Sequence, residues 1–129
     1  GTFTYVAREL GKRGLGWIAS REAHIGPDTK LVDSQNRPKE IANPETIGPR
    51  LKEAFGGTYI ANESFDLAGA QKALDEGWAD AVAFGKLFIA NPDLPRRFAS
   101  GAALNAWDAG TFYVGGSKGY TDYPALQPQ

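Results

Sequence analysis

The stretch Asp80-Ala-Val-Ala-Phe-Gly-Lys86, running on through Phe88-Ile-Ala-Asn-Pro-Asp-Leu94, decides how this chain of 129 residues is read. Four small or apolar residues bounded by turn signals fit a short buried strand. The strand ends in a glycine and a cation, and a turn and a short helix follow. A glycine at the C-terminal end of a strand lets a ligand approach the backbone, and a neighbouring cation suits a phosphate. Barrels of the β/α type place phosphate sites after their seventh and eighth strands.

Upstream, two more units of the same kind appear. Phe3, Val6 and Leu10 fall on one face of a helix that Gly11 and Gly14 bracket, with Lys12 and Arg13 at its end. Leu15 to Ser20 reads as a buried strand. A helix over 45–55 follows, with Asn43 as its cap, Pro44 at its first position and Ile47, Leu51 and Phe55 at fourfold spacing. Pro49 lies in its first turn, and Gly56-Gly57 ends it. Thr58 to Ala61 is the second strand. Asp66 caps a third helix whose inner face is Leu67, Ala70 and Leu74, and Gly77 stops it. The third strand is Ala79 to Phe84, and a short helix is expected near 93–99. This α-β-α-β-α-β order predicts parallel strands with crossover helices, and so an α/β fold. Residues 23–44 form a long polar loop, read as a lid or substrate-facing segment, and residues 100–129 an irregular tail rich in glycine and aromatics.

Composition narrows the function. Net charge is −1, which gives no footprint for nucleic acid or an anionic membrane. The apolar runs are far shorter than the ~20 residues of a spanning helix. No signal-peptide pattern opens the chain, and a cytoplasmic location is expected. There is no cysteine and a single histidine, His24, so a metal site is not expected. His24 reads as a solvated loop residue. Arg21 and Glu22 read as a local ion pair. No carboxylate pair or serine–base spacing supports glycosidase or nucleophilic chemistry.

Three parallel strands do not close a barrel, which takes eight strands and ~250 residues. Their open edges call for cover. Either this is a small open sheet, or other polypeptide completes it.

The runs Tyr59-Ile-Ala-Asn-Glu-Ser-Phe65, Asp80 to Lys86, Phe88 to Leu94, Leu104-Asn105, Phe112-Tyr113 and Gly119-Tyr-Thr-Asp-Tyr-Pro124 resemble, in order and spacing, the C-terminal part of the Old Yellow Enzyme family of ene-reductases. The resemblance spans nearly the whole chain. It implies about three βα units plus a tail of a TIM (β/α)8 barrel, with residues 1–129 a partial barrel. The N-terminal remainder, expected as a separate chain, would complete it, and this chain alone would not be active. The implied activity is reduction of C=C bonds conjugated to a carbonyl or nitro group, with FMN as cofactor and NAD(P)H as reductant. The family's substrate-gripping and proton-donating residues lie on earlier strands, so no catalytic residue is assigned here.

Three groups carry over by the same resemblance. Asn62, Glu63 and Ser64 match the turn after the seventh strand, whose amides face the flavin phosphate. Gly85 and Lys86 match a glycine-arginine pair at that phosphate. Tyr113 matches a tail aromatic that faces flavin and substrate. Two residues depart from the pattern. Lys86 replaces an arginine and forgoes its planar fork. Glu63 stands where glycine is common and adds a carboxylate near an anion. A competing reading is a non-catalytic phosphate-binding or scaffold module built from a barrel piece.

Overall fold

The computed structural model describes residues 1–21, 46–63 and 65–127, in two compact units, Gly1–Ala83 and Phe84–Gln129. The expected loop over 23–44, His24, Glu22 and the Asn43-Pro44 cap lie outside the described residues, as does Ser64.

The first unit is the alternating part. It runs α1 (Thr2–Lys12), β1 (Trp17–Arg21), α2 (Gly48–Phe55), β2 (Thr58–Asn62), α3 (Leu67–Asp75) and β3 (Ala81–Ala83). The three strands are parallel in the order β1-β2-β3. Sequential parallel neighbours joined by helices are what the alternating pattern demands.

Burial follows position in the sheet. β2 is central, and Tyr59 and Ala61 are fully buried. The sequence also reads β1 and β3 as buried, and that reading is corrected. Trp17 keeps 58% of its surface exposed, Ala81 is exposed, and Val82 and Ala83 are half-buried. Among the described residues each outer strand has a neighbour on one side only.

The helices bury smaller residues than periodicity suggests. In α1, Phe3 and Val6 are exposed and Ala7 is the buried position. In α3, Leu67 and Leu74 are exposed, and Ala70 and Ala73 face inward. Alanines let a helix approach its neighbour closely, and the larger side chains flank the contact. The Asp66 cap forms as expected, its Oδ1 accepting the Gly69 N–H at 2.7 Å. α2 starts at Gly48 with Ile47 at its N-cap, later than the expected 45, and Gly56 ends it in the left-handed region.

Asp80 joins three elements at the start of β3. Its Oδ2 accepts the Tyr59 N–H at 2.8 Å, its N–H donates to the Tyr59 carbonyl at 2.9 Å, and its Oδ1 receives Lys52 Nζ from α2 at 2.7 Å. The Lys52 hydrogen bond, then the Tyr59 N–H, hold its carboxyl below the usual carboxylate range.

Among its described residues the second unit contains α4 (Lys86–Ala90), where the sequence pattern predicts a turn, then α5 (Leu94–Ser100) and one 3-10 turn (Ala109–Thr111). Its other described residues are irregular, and side chains order them. Asn91 is fully buried; its amide donates to the Leu87 carbonyl at 2.9 Å and its Oδ1 accepts the Asn105 N–H at 2.7 Å. Asn105 Nδ2 donates to the carbonyls of Ala90 at 2.8 Å and Pro124 at 2.9 Å. Arg97, 5% exposed, binds Asp93 Oδ1 through Nε at 2.7 Å and donates to the carbonyls of Ala103 at 2.5 Å and Pro124 at 2.8 Å. Asp93 Oδ2 accepts the Leu126 N–H at 2.7 Å. A buried guanidinium needs a paired charge and satisfied donors, and the tail supplies the donors' acceptors. Asp93 stands at the N-cap of α5, yet its carboxylate serves Arg97 and Leu126 instead of the helix.

Two outcomes follow from this packing. Gly11 sits inside the last turn of α1, where an added Cβ would run into the carbonyl of Phe55 at the end of α2. Helix propensity alone makes Gly11→Ala stabilising by ~1 kcal/mol. The contact makes it destabilising by about 1–3 kcal/mol, and a thermal or urea melt reads the sign directly. The second outcome concerns acid. The Leu126 N–H, then the Arg97 guanidinium, lower the Asp93 carboxyl below its usual range. A depressed carboxylate contributes stability above its unfolded value and loses it as pH falls through the lowered folded value. Asp93→Asn therefore lowers the urea midpoint at neutral pH and shrinks the drop in midpoint between neutral and acid.

Candidate functional site

The parallel register sets the C-terminal ends of the strands level. Arg21 pairs with Asn62, and Asn62 pairs with Ala83. In parallel α/β sheets ligands bind outside the carboxyl ends of the strands, so this edge is the place for a site. Behind it, Ser20 Oγ and Tyr59 OH share a hydrogen bond of 2.5 Å across β1 and β2. Tyr59 also packs its ring 6.5 Å from Trp78, which lies 6.1 Å from Phe65. The core under the strand ends is thus tied by both hydroxyl and aromatic contacts.

Asn62 and Glu63 close β2 at this edge. Asn62 is half-buried, and Glu63 holds φ at +84°, the one left-handed conformation at a non-glycine among the described residues. The backbone shape explains why a glycine suits this position: L side chains strain there by about 1–2 kcal/mol. The Glu63 carboxylate is engaged sideways. Arg21 Nη2 donates to its Oε1 at 3.1 Å, an ion pair that spans the ends of β1 and β2. The expected Arg21–Glu22 pair involves a residue outside the described ones. A partner 42 residues away is visible only once the strand register is known.

Gly85 and Lys86 follow β3 in the chain, Gly85 at the N-cap of α4 and Lys86 at its first position. Gly85 has φ −89°, and a Cβ added to it meets nothing within 4 Å. Neither the backbone conformation nor a neighbour in the described chain demands glycine there. Among the described residues no side chain caps α4, so none of these takes up its first-turn N–H groups. The Lys86 ammonium lies 5.3 Å from the centroid of the Trp107 ring, within cation–π reach. Trp107 was not singled out in the sequence; a lone tryptophan in an irregular tail carries no periodic signal. Tyr113 is 99% exposed and meets Phe112 edge-on at 6.5 Å. Tyr123 OH accepts the Asp108 N–H at 2.9 Å, which fixes the tail near the 3-10 turn.

Among the described residues no group of three or more His, Cys, Asp or Glu could hold a metal ion, and no helix is long and apolar enough to cross a membrane. A cavity of about 270 Å³ is lined by Thr4, Arg8, Arg50, Glu53 and Ala54, all on α1 and α2 and none at the strand ends.

With this geometry in place, likeness to known proteins becomes informative. No family model matches the chain. A 12-oxophytodienoate reductase-like protein of Solanum lycopersicum is 38% identical over 125 residues, covering 96% of this chain and 30% of the relative. Among solved structures, morphinone reductase is 44% identical with a TM-score of 0.79, covering 96% of this chain and 30% of that one. Morphinone reductase has also been solved in complex with tetrahydroNAD. The old yellow enzyme homologue from Zymomonas mobilis is 34% identical with a TM-score of 0.78, covering 96% of this chain and 32% of that one. The α/β fold with its parallel sheet is therefore shared with these barrels, and the chain belongs to the Old Yellow Enzyme family. It spans about a third of the length of the relatives it matches.

Proposed function

We propose that this chain is the flavin-phosphate portion of an NAD(P)H-driven ene-reductase, acting on C=C bonds conjugated to a carbonyl or nitro group. The observation that carries the proposal is the pairing of family membership with chemistry suited to an anion at the two expected turns. Glu63 holds the left-handed backbone of the first turn. Gly85 leaves open space at the uncapped start of α4, and Lys86 brings a cation there. The family resemblance assigns a flavin-phosphate role to Asn62, Glu63 and Ser64 through their backbone and, separately, to Gly85 and Lys86 through an N–H and an ammonium. When bound, FMN supplies the hydride transfer.

The chain's own residues then bind and orient. Lys86 neutralises phosphate as a point charge, and Trp107 keeps the ammonium from wandering. Tyr113, fully open to solvent in this chain, is the aromatic that would face flavin and substrate. The remaining strands of the barrel would come from further polypeptide, and with them the groups that grip the substrate and move its proton. The tetrahydroNAD complex of morphinone reductase supports a nicotinamide reductant. The chain by itself would not turn over substrate.

The test uses the assembled flavoprotein and two flavins. Lys86→Ala is expected to weaken FMN by about 1.5 kcal/mol, roughly tenfold in Kd, and to leave riboflavin nearly unchanged, because only FMN carries the phosphate. Equal affinity of the parent protein for FMN and riboflavin would remove the phosphate site and favour a scaffold role.

A further inference from the structure

The Arg21–Glu63 pair is the feature that folding alone does not explain. Glu63 accepts a strained backbone, with φ at +84°, at the first residue beyond the paired part of β2. In return its side chain forms an ion pair with Arg21, the last residue of β1. The Arg21 side chain is 79% exposed and that of Glu63 35% exposed. Ion pairs this open to water contribute little to folding. Strain that stability does not repay marks a position whose geometry serves a ligand.

The geometry suggests what the pair does. A carboxylate at a turn that offers its backbone to an anion opposes binding unless it is turned aside and its charge offset. Arg21 does both. Register places it beside Asn62, and its guanidinium draws Oε1 of Glu63 to 3.1 Å, along the edge toward β1. We propose that Arg21 is a positioning residue that neutralises and turns aside the Glu63 carboxylate, so that the Asn62–Glu63 end of β2 accepts a phosphomonoester. This inference rests on the flavin-phosphate reading given above. It predicts that the effect of Arg21 on phosphate binding runs through Glu63.

A double-mutant cycle tests that dependence. Arg21→Ala, Glu63→Gly and the double variant are compared with the parent flavoprotein by fluorescence titration with FMN and with riboflavin. The melting temperature of each flavin-free protein is measured alongside. Arg21→Ala is expected to weaken FMN on the order of tenfold and riboflavin less than about twofold. In the Glu63→Gly background the same substitution is expected to change FMN affinity less than about twofold, and Glu63→Gly alone to melt no lower than the parent. Equal FMN loss in both backgrounds means Arg21 acts on the phosphate itself and overturns the proposal. Equal loss of FMN and riboflavin marks a merely structural role and also overturns it. No effect of Arg21→Ala overturns it while the Lys86 result still stands. A parent protein indifferent to the phosphate overturns both readings together.

Discussion

The parallel register of β1, β2 and β3 is the constraint on which the candidate site depends. Pairing Arg21 with Asn62 and Asn62 with Ala83 brings three strand ends level, though the residues are far apart in sequence. A slip of one residue would turn each side chain to the other face of the sheet. Tyr59 would then leave the core, and its hydrogen bond to Ser20 and its packing on Trp78 would be lost. Asp80 guards the same register from the other end, because its carboxylate and N–H clasp the peptide of Tyr59 while Lys52 ties it to α2. The edge that carries Arg21, Asn62 and Glu63 is a consequence of that clasp.

The fold was legible in the sequence wherever local chemistry decides the outcome. The Asp66 cap, the Gly56 stop and the alternation of helix with apolar run each declare an element without reference to the rest of the chain. What periodicity could not give was the depth of burial. Phe3, Val6, Leu67 and Leu74 carry the apolar pattern yet remain exposed, while alanines make the contacts. Pattern reports which face is apolar, and contact distance selects which of its members touch. Gly11 shows the same limit, since it reads as a helix stop and acts as a place where α1 meets Phe55.

The site was legible to a lesser degree, for a physical reason. Glycine after a strand and a cation beside it are local signals, so Gly85 and Lys86 could be named. The partners that define what these residues do are not local. Glu63 reads as an awkward charge until its φ and its bond to Arg21 are known. Lys86 reads as a cation suited to a phosphate, and its contact with the Trp107 ring leaves no local signal. The tail reads as an irregular segment, and what orders it shows only when Arg97 and Asn105 are seen gathering the carbonyls of Ala90, Ala103 and Pro124. Each is a side-chain bond across an irregular segment, and such bonds leave no period in the sequence.

The exposed Trp17 on β1 and the exposed faces of α1 and α3 suit a chain that buries more surface in a larger barrel. Native mass spectrometry of the protein from its source, with visible absorption recorded on the same sample, tests that account most directly. The account predicts an assembly heavier than this chain, carrying further barrel polypeptide and one FMN with its yellow absorption. A colourless monomer of this chain alone that reduces an activated alkene with NAD(P)H would contradict it.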